Sequence, residues 1–229
     1  MNGYTLQRMA EPLDLDALYG ERFDAREAQA KARVWDTLCR HFFQRYIRES
    51  DTVVDLGAGM CEFINTIRCG RRIAVDPSQA VRRFAGPDVE VLQTESTDLG
   101  TLADATVDVV FASNFFEHLP DTDALLATLR EARRVLRPGG TILILQPNIA
   151  AVGGRFWDFL DHSLPLTERT VTEALAVTGF EVLEVRPRFL PYTTKSRLPK
   201  HPLLVRLYLA FPPAHRLLGG QAWIVGGRP

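Results

Sequence analysis

Long apolar runs are missing from this 229-residue chain, and no stretch is long enough to cross a bilayer. Met1-Asn2-Gly3-Tyr4 does not open the basic and apolar pattern of a secretory leader, so a cytoplasmic protein is expected. Cysteine is scarce: Cys39, Cys61 and Cys69 fit a reducing compartment and have no zinc-ligand spacing. Neither an internal repeat nor a low-complexity segment is present. Acidic residues stop at Glu184, after which Arg186, Arg188, Lys195, Arg197, Lys200, Arg206, Arg216 and Arg228 are the only formal charges. The net charge of -1 therefore joins an acidic body, -9 over residues 1–184, to a basic tail, a bias that suits an anionic partner. Basic residues interleaved with aromatics along a strand are absent, so no nucleic-acid partner is expected.

What is present is the composition of a soluble globular domain, 46% hydrophobic and 24% charged. Its organising stretch is Val53-Val54-Asp55-Leu56-Gly57-Ala58-Gly59-Met60-Cys61-Glu62-Phe63, which reads as a strand, a tight turn and a helix start. Glycines at such a corner let a ligand approach the main chain, whose N–H groups suit a carboxylate or phosphate. About 20 residues on, Arg72-Ile73-Ala74-Val75-Asp76 ends a second strand with an acid, where a ribose would present two hydroxyls. A dinucleotide fingerprint needs a third glycine at 62, and Glu62 stands there.

Strands are expected near 52–56, 72–76, 89–93, 107–112 and 140–146, with helices near 60–69, 78–84 and 121–136. Such alternation calls for a mostly parallel sheet with right-handed crossovers, with ligands beyond the carboxyl ends of its strands. Asp55, Asp76, the Ser96-Thr97-Asp98 stretch and Asn114 all fall at such ends. Helical spacing over 19–47, a Thr167-capped helix to Thr178, and strands at 180–185 and 221–225 complete the pattern. The proline-rich connection from Pro187 to Gly220, with a short apolar helix from Leu203 to Phe211, is too long for a simple loop and reads as a cap over the substrate side.

Asp-x-Gly-x-Gly followed by Val75-Asp76 resembles the class I S-adenosylmethionine-dependent methyltransferases. Val107 to Leu119 looks like that family's fourth strand and the loop facing the methyl group, and Leu136-Arg137-Pro138-Gly139-Gly140-Thr141 like its turn into the fifth strand. The resemblance covers roughly residues 50–147. It implies an α/β fold: a seven-stranded Rossmann-like, mostly parallel sheet flanked by helices, with its last strand antiparallel. A single domain over 1–229 is expected, comprising an N-terminal helical lid (1–50), a cofactor-binding core (51–147) and a substrate-side cap with the last strands (148–229).

The resemblance implies S-adenosyl-L-methionine as cofactor and assigns its contacts. Gly57, Ala58 and Gly59 would cradle the methionine end and Asp55 would order the turn or receive the ammonium. Asp76, followed by Pro77, would accept from the ribose hydroxyls, and Ser96, Thr97 or Asp98 would lie near the adenine. Asn114 and Phe115 would line the methyl-transfer side, and Tyr19 would touch the cofactor from the lid. Asp98 reads equally well as a turn residue before Leu99-Gly100. Cys61 reads as packing.

A general base is needed only where the acceptor loses a proton, as a hydroxyl does. His118 and His162 both fall on the ligand edge, and Asp161 is placed to orient its neighbour. His41, His201 and His215 are expected at the surface. Glu117 beside His118 is too small a set for an ion, and no metal is expected. The expected acceptor is a small molecule, methylated on a hydroxyl oxygen, of natural-product, quinone or glycan type, anionic or lipid-linked, with peripheral membrane contact through 199–217. The alternatives are an NAD(P)-dependent oxidoreductase and a non-catalytic nucleoside-binding scaffold.

Overall fold

The computed structural model describes residues 25–192 and 201–229. Helix α1 (Ala25–His41) and a 3₁₀ turn (Phe43–Tyr46) lead into β1 (Thr52–Leu56), α2 (Glu62–Thr66), β2 (Arg71–Val75), α3 (Val81–Phe84), β3 (Val89–Leu92) and β4 (Val107–Ser113). There follow α4 (Thr122–Val135), β5 (Leu136–Pro147), α5 (Ile149–Val152), α6 (Glu168–Val177), β6 (Glu181–Arg186), α7 (Pro202–Ala210), α8 (Pro212–Leu218) and β7 (Gln221–Gly227).

The strands form one seven-stranded sheet in the order β3-β2-β1-β4-β5-β7-β6. Every pairing among β1 to β5 is parallel, and β7 runs antiparallel to both β5 and β6. The Rossmann-like sheet with an antiparallel last strand is thus the one expected. Strand order reverses between β1 and β4, so the crevice beyond their carboxyl ends is where a ligand has room between diverging connections.

Period-two alternation builds a core on each face of the sheet. Val54 and Leu56 of β1, Val110 and Ala112 of β4, and Ile142 and Ile144 of β5 turn to one face, against Leu125, Leu129 and Val135 of α4 and Leu175 of α6. Val53, Val109, Phe111, Leu143 and Leu145 turn to the other, against Leu38, Phe42, Phe43, Phe63 and Ile64. Phe63 stacks on Phe111 with ring centroids 3.7 Å apart, which seats α2 directly over β4. Asp55 alternates with Val54 and Leu56, so it faces the same side as Val53. That face carries α1 and α7.

The local chemistry explains most element ends. Asp121 accepts from Ala124 N and Thr167 from Thr170 N, both N-caps. Two helices are shorter than expected: α2 stops at Thr66, because Ile67 leaves the helical conformation (ψ 140°), and α3 covers only Val81–Phe84. The expected turn at Arg137-Pro138-Gly139 is part of β5, with a register irregularity opposite Val107–Val109; Gly139 has φ +76° and donates its N–H to Arg228 O. The cap holds a second helix, α8, started by Pro212 and Pro213. His215, expected at the surface, is buried against Phe189 and Tyr208, with Tyr208 O 2.8 Å from its Nε2.

Candidate active site

A cavity of about 620 Å³ opens at the β1/β4 crossing point, within the roughly 300–1,000 Å³ range of small-molecule sites. Its floor is Asp55, Gly57, Ala58, Gly59 and Phe111, and its far wall is Asn114, Glu117, His118 and His162. Helix α1 contributes Lys31, Val34, Trp35 and Leu38; the cap contributes Leu190, Pro191, Tyr192, Leu204, Val205 and Tyr208. Residues of the sheet, of α1 and of the segment between β6 and β7 therefore line one space.

The corner after β1 is built by positive φ values at Gly57 (+66°), Gly59 (+49°) and Cys61 (+58°). Gly57 has no room for a side chain, since a Cβ there would stand 2.4 Å from Phe115 Cδ2. The main-chain donors of the corner are used within the protein: Gly57 N and Ala58 N donate to Val75 O at 2.9 and 3.1 Å, and Gly59 N donates to Asp76 Oδ2 at 2.8 Å. This corrects the expectation that these N–H groups await a ligand carboxylate. What the corner offers is close approach to a bare backbone.

Its electrostatics are acidic. Burial drives the Asp55 carboxyl well above the usual carboxylate range, and the charges of Glu62 and Asp76 push it the same way. Lys31 Nζ pairs with Glu62 Oε1 at 2.7 Å. Asp55, Glu62 and Asp76 gather three carboxyl groups around a side-chain-poor corner, with Glu62 balanced by Lys31 and Asp55 shifted toward its neutral form. A sulfonium and an ammonium, the two cationic groups of S-adenosylmethionine, fit this surrounding.

At the end of β2, the buried Asp76 carboxylate accepts from Gly59 N and from Ser78 N, the latter at 2.9 Å. Asp76, Pro77, Thr97, Asp98 and Phe115 are not among the residues that line the cavity. Thr97 and Asp98 are exposed, and Asp98 Oδ1 accepts from Gly100 N at 3.0 Å, the turn role that its sequence context allows. Ser96 is buried, with its hydroxyl 2.7 Å from that of Thr128. Asn114 is held at φ +48° and accepts from Gln221 Nε2 at 2.9 Å. Tyr19 lies outside the described residues.

The two histidines, 44 residues apart in sequence, meet in the cavity with ring centroids 5.1 Å apart. Asp161 was expected to orient His162, yet it also reaches His118: Nδ1 lies 3.0 Å from Asp161 O and 3.3 Å from Asp161 Oδ2. His162 stacks on Phe159, and its Nδ1 is 3.5 Å from the Tyr192 hydroxyl. Glu117 is 1% exposed and its Oε2 has no hydrogen-bond partner. Burial raises its carboxyl above the usual range, and the neighbouring His118 pulls it back. Glu117 was weighed from sequence only as half of a pair with His118, and Trp35, Gln221 and the individual cap residues were not singled out. Only Glu117 sat inside a recognisable motif; the cap has no spacing that could mark Tyr192 or Leu190.

Comparisons with known proteins agree with this geometry. Residues 54–144 match the family model described as "Methyltransferase domain". A "Probable S-adenosylmethionine-dependent methyltransferase" of Mycolicibacterium smegmatis is 38% identical over 98 residues, 42% of this chain and 37% of that protein. A "Probable methyltransferase" of Aspergillus luteorubrus is 32% identical over 118 residues, 44% of this chain and 41% of that one. The chain thus spans about two fifths of the length of these relatives. Among solved structures, a SAM-dependent methyltransferase from Archaeoglobus fulgidus superposes with a TM-score of 0.67 at 22% identity, covering 94% of this chain and all of the other. A geranyl diphosphate methyltransferase in complex with S-adenosylmethionine gives 0.61 at 18% identity, covering 94% and 95%. Residues 54–144 thus match a methyltransferase domain, and the sheet around them has the fold of the S-adenosylmethionine-dependent methyltransferases to which the chain is similar.

Proposed function

We propose that this chain is a single-domain enzyme that transfers a methyl group to a small-molecule acceptor, at a hydroxyl oxygen. The observation that carries this reading is the continuity of one cavity from the acidic glycine corner to the His118–His162 pair. S-adenosylmethionine supplies an electrophilic methyl group on a sulfonium. The protein's own work is positioning, which holds two reactants in line and removes the entropic cost of their encounter.

In this reading Gly57, Ala58 and Gly59 let the cofactor's amino-acid end lie against the backbone, with the Asp55 and Glu62 carboxyl groups beside it as hydrogen-bond partners. Asp76 braces the corner through Gly59 N and is the acceptor for the ribose hydroxyls, with Pro77 behind it. Thr97 and Asp98 border the adenine, and Asn114, held by Gln221, sets the wall between cofactor and acceptor. His118 or His162 receives the acceptor's proton, and Asp161 fixes the His118 ring so that its other nitrogen faces the cavity.

The acceptor has an apolar body. Support comes from Trp35, Leu38, Phe159, Leu190 and Tyr192 in the cavity wall, and from Leu204 and Leu218 at a lip where Leu203, Leu207 and Phe211 are also exposed. Arg206 and Arg216 lie on the same two helices, which suits an anionic or lipid-linked group and contact of the 199–217 segment with a membrane surface. Among the described residues no helix is long and apolar enough to cross a membrane.

The test is formation of S-adenosylhomocysteine from S-adenosylmethionine with a panel of hydroxylated aromatic, polyprenyl-linked and glycosyl acceptors. Turnover with an amphiphilic hydroxyl acceptor is expected. Tight cofactor binding with no turnover across the panel would favour a nucleoside-binding scaffold instead.

A further inference from the structure

The cavity holds more than two candidate bases. Glu117, His118 and His162 each offer one ligand atom, and these atoms all lie within 4.8 Å of one another. We propose that Glu117, His118 and His162 form a divalent transition-metal site of the zinc type, open on the side that faces the cavity.

Three independent features carry it. The donor set is two imidazoles and one carboxylate, the set used where three protein ligands hold zinc and a further position stays open for water or substrate. Glu117, 1% exposed, has no well-formed hydrogen bond at Oε2 among the described residues, and the neighbouring Gln146 amide, itself unpaired at Nε2, gives it only partial compensation. A bound cation would satisfy that oxygen, whose burial costs up to roughly 1–3 kcal/mol. Asp161 holds His118 Nδ1 through its backbone carbonyl at 3.0 Å and its carboxylate at 3.3 Å, the outer carbonyl or carboxylate support that orients a metal-ligating ring and leaves Nε2 for the ion.

The local fold explains how these residues converge. Glu117 and His118 lie on the 3₁₀ turn Phe116–His118 that follows β4. Ser163 N and Leu164 N both donate to Glu117 O, at 2.8 and 3.0 Å, which ties the segment carrying Asp161 and His162 to that turn. Zinc bonds of about 2.0–2.1 Å place tetrahedral ligands roughly 3.4 Å apart, so the present spread closes by side-chain rotations on the order of 1 Å. Sequence alone had offered only the adjacent pair.

The metal reading of these residues does not depend on methyl transfer. Where both hold, a cation here acts on the acceptor: a hydroxyl coordinated to it ionises at lower pH and is fixed toward the corner. Histidine nitrogens bound to the ion then no longer take the proton, which leaves to water.

The experiment uses the full chain in a Cys69→Ser background, because Cys69 is a partly exposed thiol that zinc could take. Protein freed of metal by chelation is titrated calorimetrically with zinc chloride, and separately with cobalt(II), whose visible absorption reports coordination. One ion per chain is expected, with a rise in thermal midpoint. Glu117→Gln and His162→Gln should each weaken binding by about tenfold or more. Circular dichroism shows which variants fold, and those that do are compared; His118→Gln supplies the comparison if neither of these folds. No saturable binding by the unsubstituted chain, or affinity unchanged in the folded variants, would overturn the site. Titration with S-adenosylhomocysteine is scored separately: zinc binding without nucleoside binding would count against the methyltransferase reading and leave the metal site standing, and the reverse result would do the opposite.

Discussion

The Asp76 carboxylate accepts a hydrogen bond from Gly59 N at 2.8 Å, so the acid that ends β2 and the glycine that follows β1 are one unit. They are 17 residues apart in sequence, and the parallel pairing of Leu56 with Val75 brings them together. Replacing Asp76 should therefore disturb both the corner and whatever binds beside it. Asp76→Ala is expected to weaken S-adenosylhomocysteine binding by about tenfold to a hundredfold, the loss of charge-assisted hydrogen bonds worth roughly 1.5–3 kcal/mol. Asp76→Asn, which keeps an acceptor for Gly59, should lose less. Calorimetric titration of the two variants checks the order.

Gly57 should tolerate no side chain. Gly57→Ala adds a Cβ 2.4 Å from Phe115 Cδ2 at φ +66°, where a non-glycine residue costs about 1–3 kcal/mol from backbone strain alone. A lower thermal midpoint is expected, with part of the loss returned by Phe115→Ala in the same chain, since that removes the collision and leaves the backbone strain. Equal stability of Gly57→Ala and the unsubstituted protein would show that the corner relaxes freely.

Arg134 ties α4 to the loop before β4. Its guanidinium bonds Glu131, Asp104, Leu99 O and Leu102 O, and these partners hold it charged. Glu131 in turn accepts from Leu99 N and its carboxyl is held below the usual range, first by its bond to Arg134. Arg134→Met should destabilise the protein by about 1–3 kcal/mol, because it strands several partners at once. Urea unfolding measures it.

His215 gives the cap a pH dependence. Burial holds its imidazole below the ordinary histidine value, and Arg186 acts the same way, while the bond to Tyr208 O opposes them. The unfolded chain therefore binds a proton more readily than the folded one. Stability from this group is full above the unfolded value near 6.5 and declines as pH falls below it toward the folded value. Melting of the protein between pH 8 and pH 5 should show a fall that His215→Gln makes smaller.

Much of the sheet could be read from the chain because its signals are local. Val53 to Leu56, Arg71 to Val75 and Val107 to Ser113 announce parallel strands by short β-branched and apolar runs, and the residues at their ends fix the ligand edge. Helix ends were harder: nothing in Ile67-Arg68-Cys69-Gly70 compels the chain to leave the helix after Thr66, and packing against β1 and β2 decides it. Main-chain hydrogen bonding at the glycine corner is set by Val75 O, which belongs to a different strand, so its donors looked available in one dimension and are not in three. The joining of Glu117 and His118 to His162 is likewise a tertiary event across 44 residues, and the cap residues around Tyr192 carry no periodic signature at all. The buried place of His215 depends on α8, which the two prolines at 212 and 213 signal only in retrospect.

The most direct test of the cofactor site is isothermal titration of the intact chain with S-adenosylhomocysteine at neutral pH. Saturable binding of one molecule per chain, in the micromolar range or tighter and weakened in Asp76→Ala, is the expected result. No heat beyond dilution, in a chain shown to be folded by a cooperative thermal melt, would contradict it.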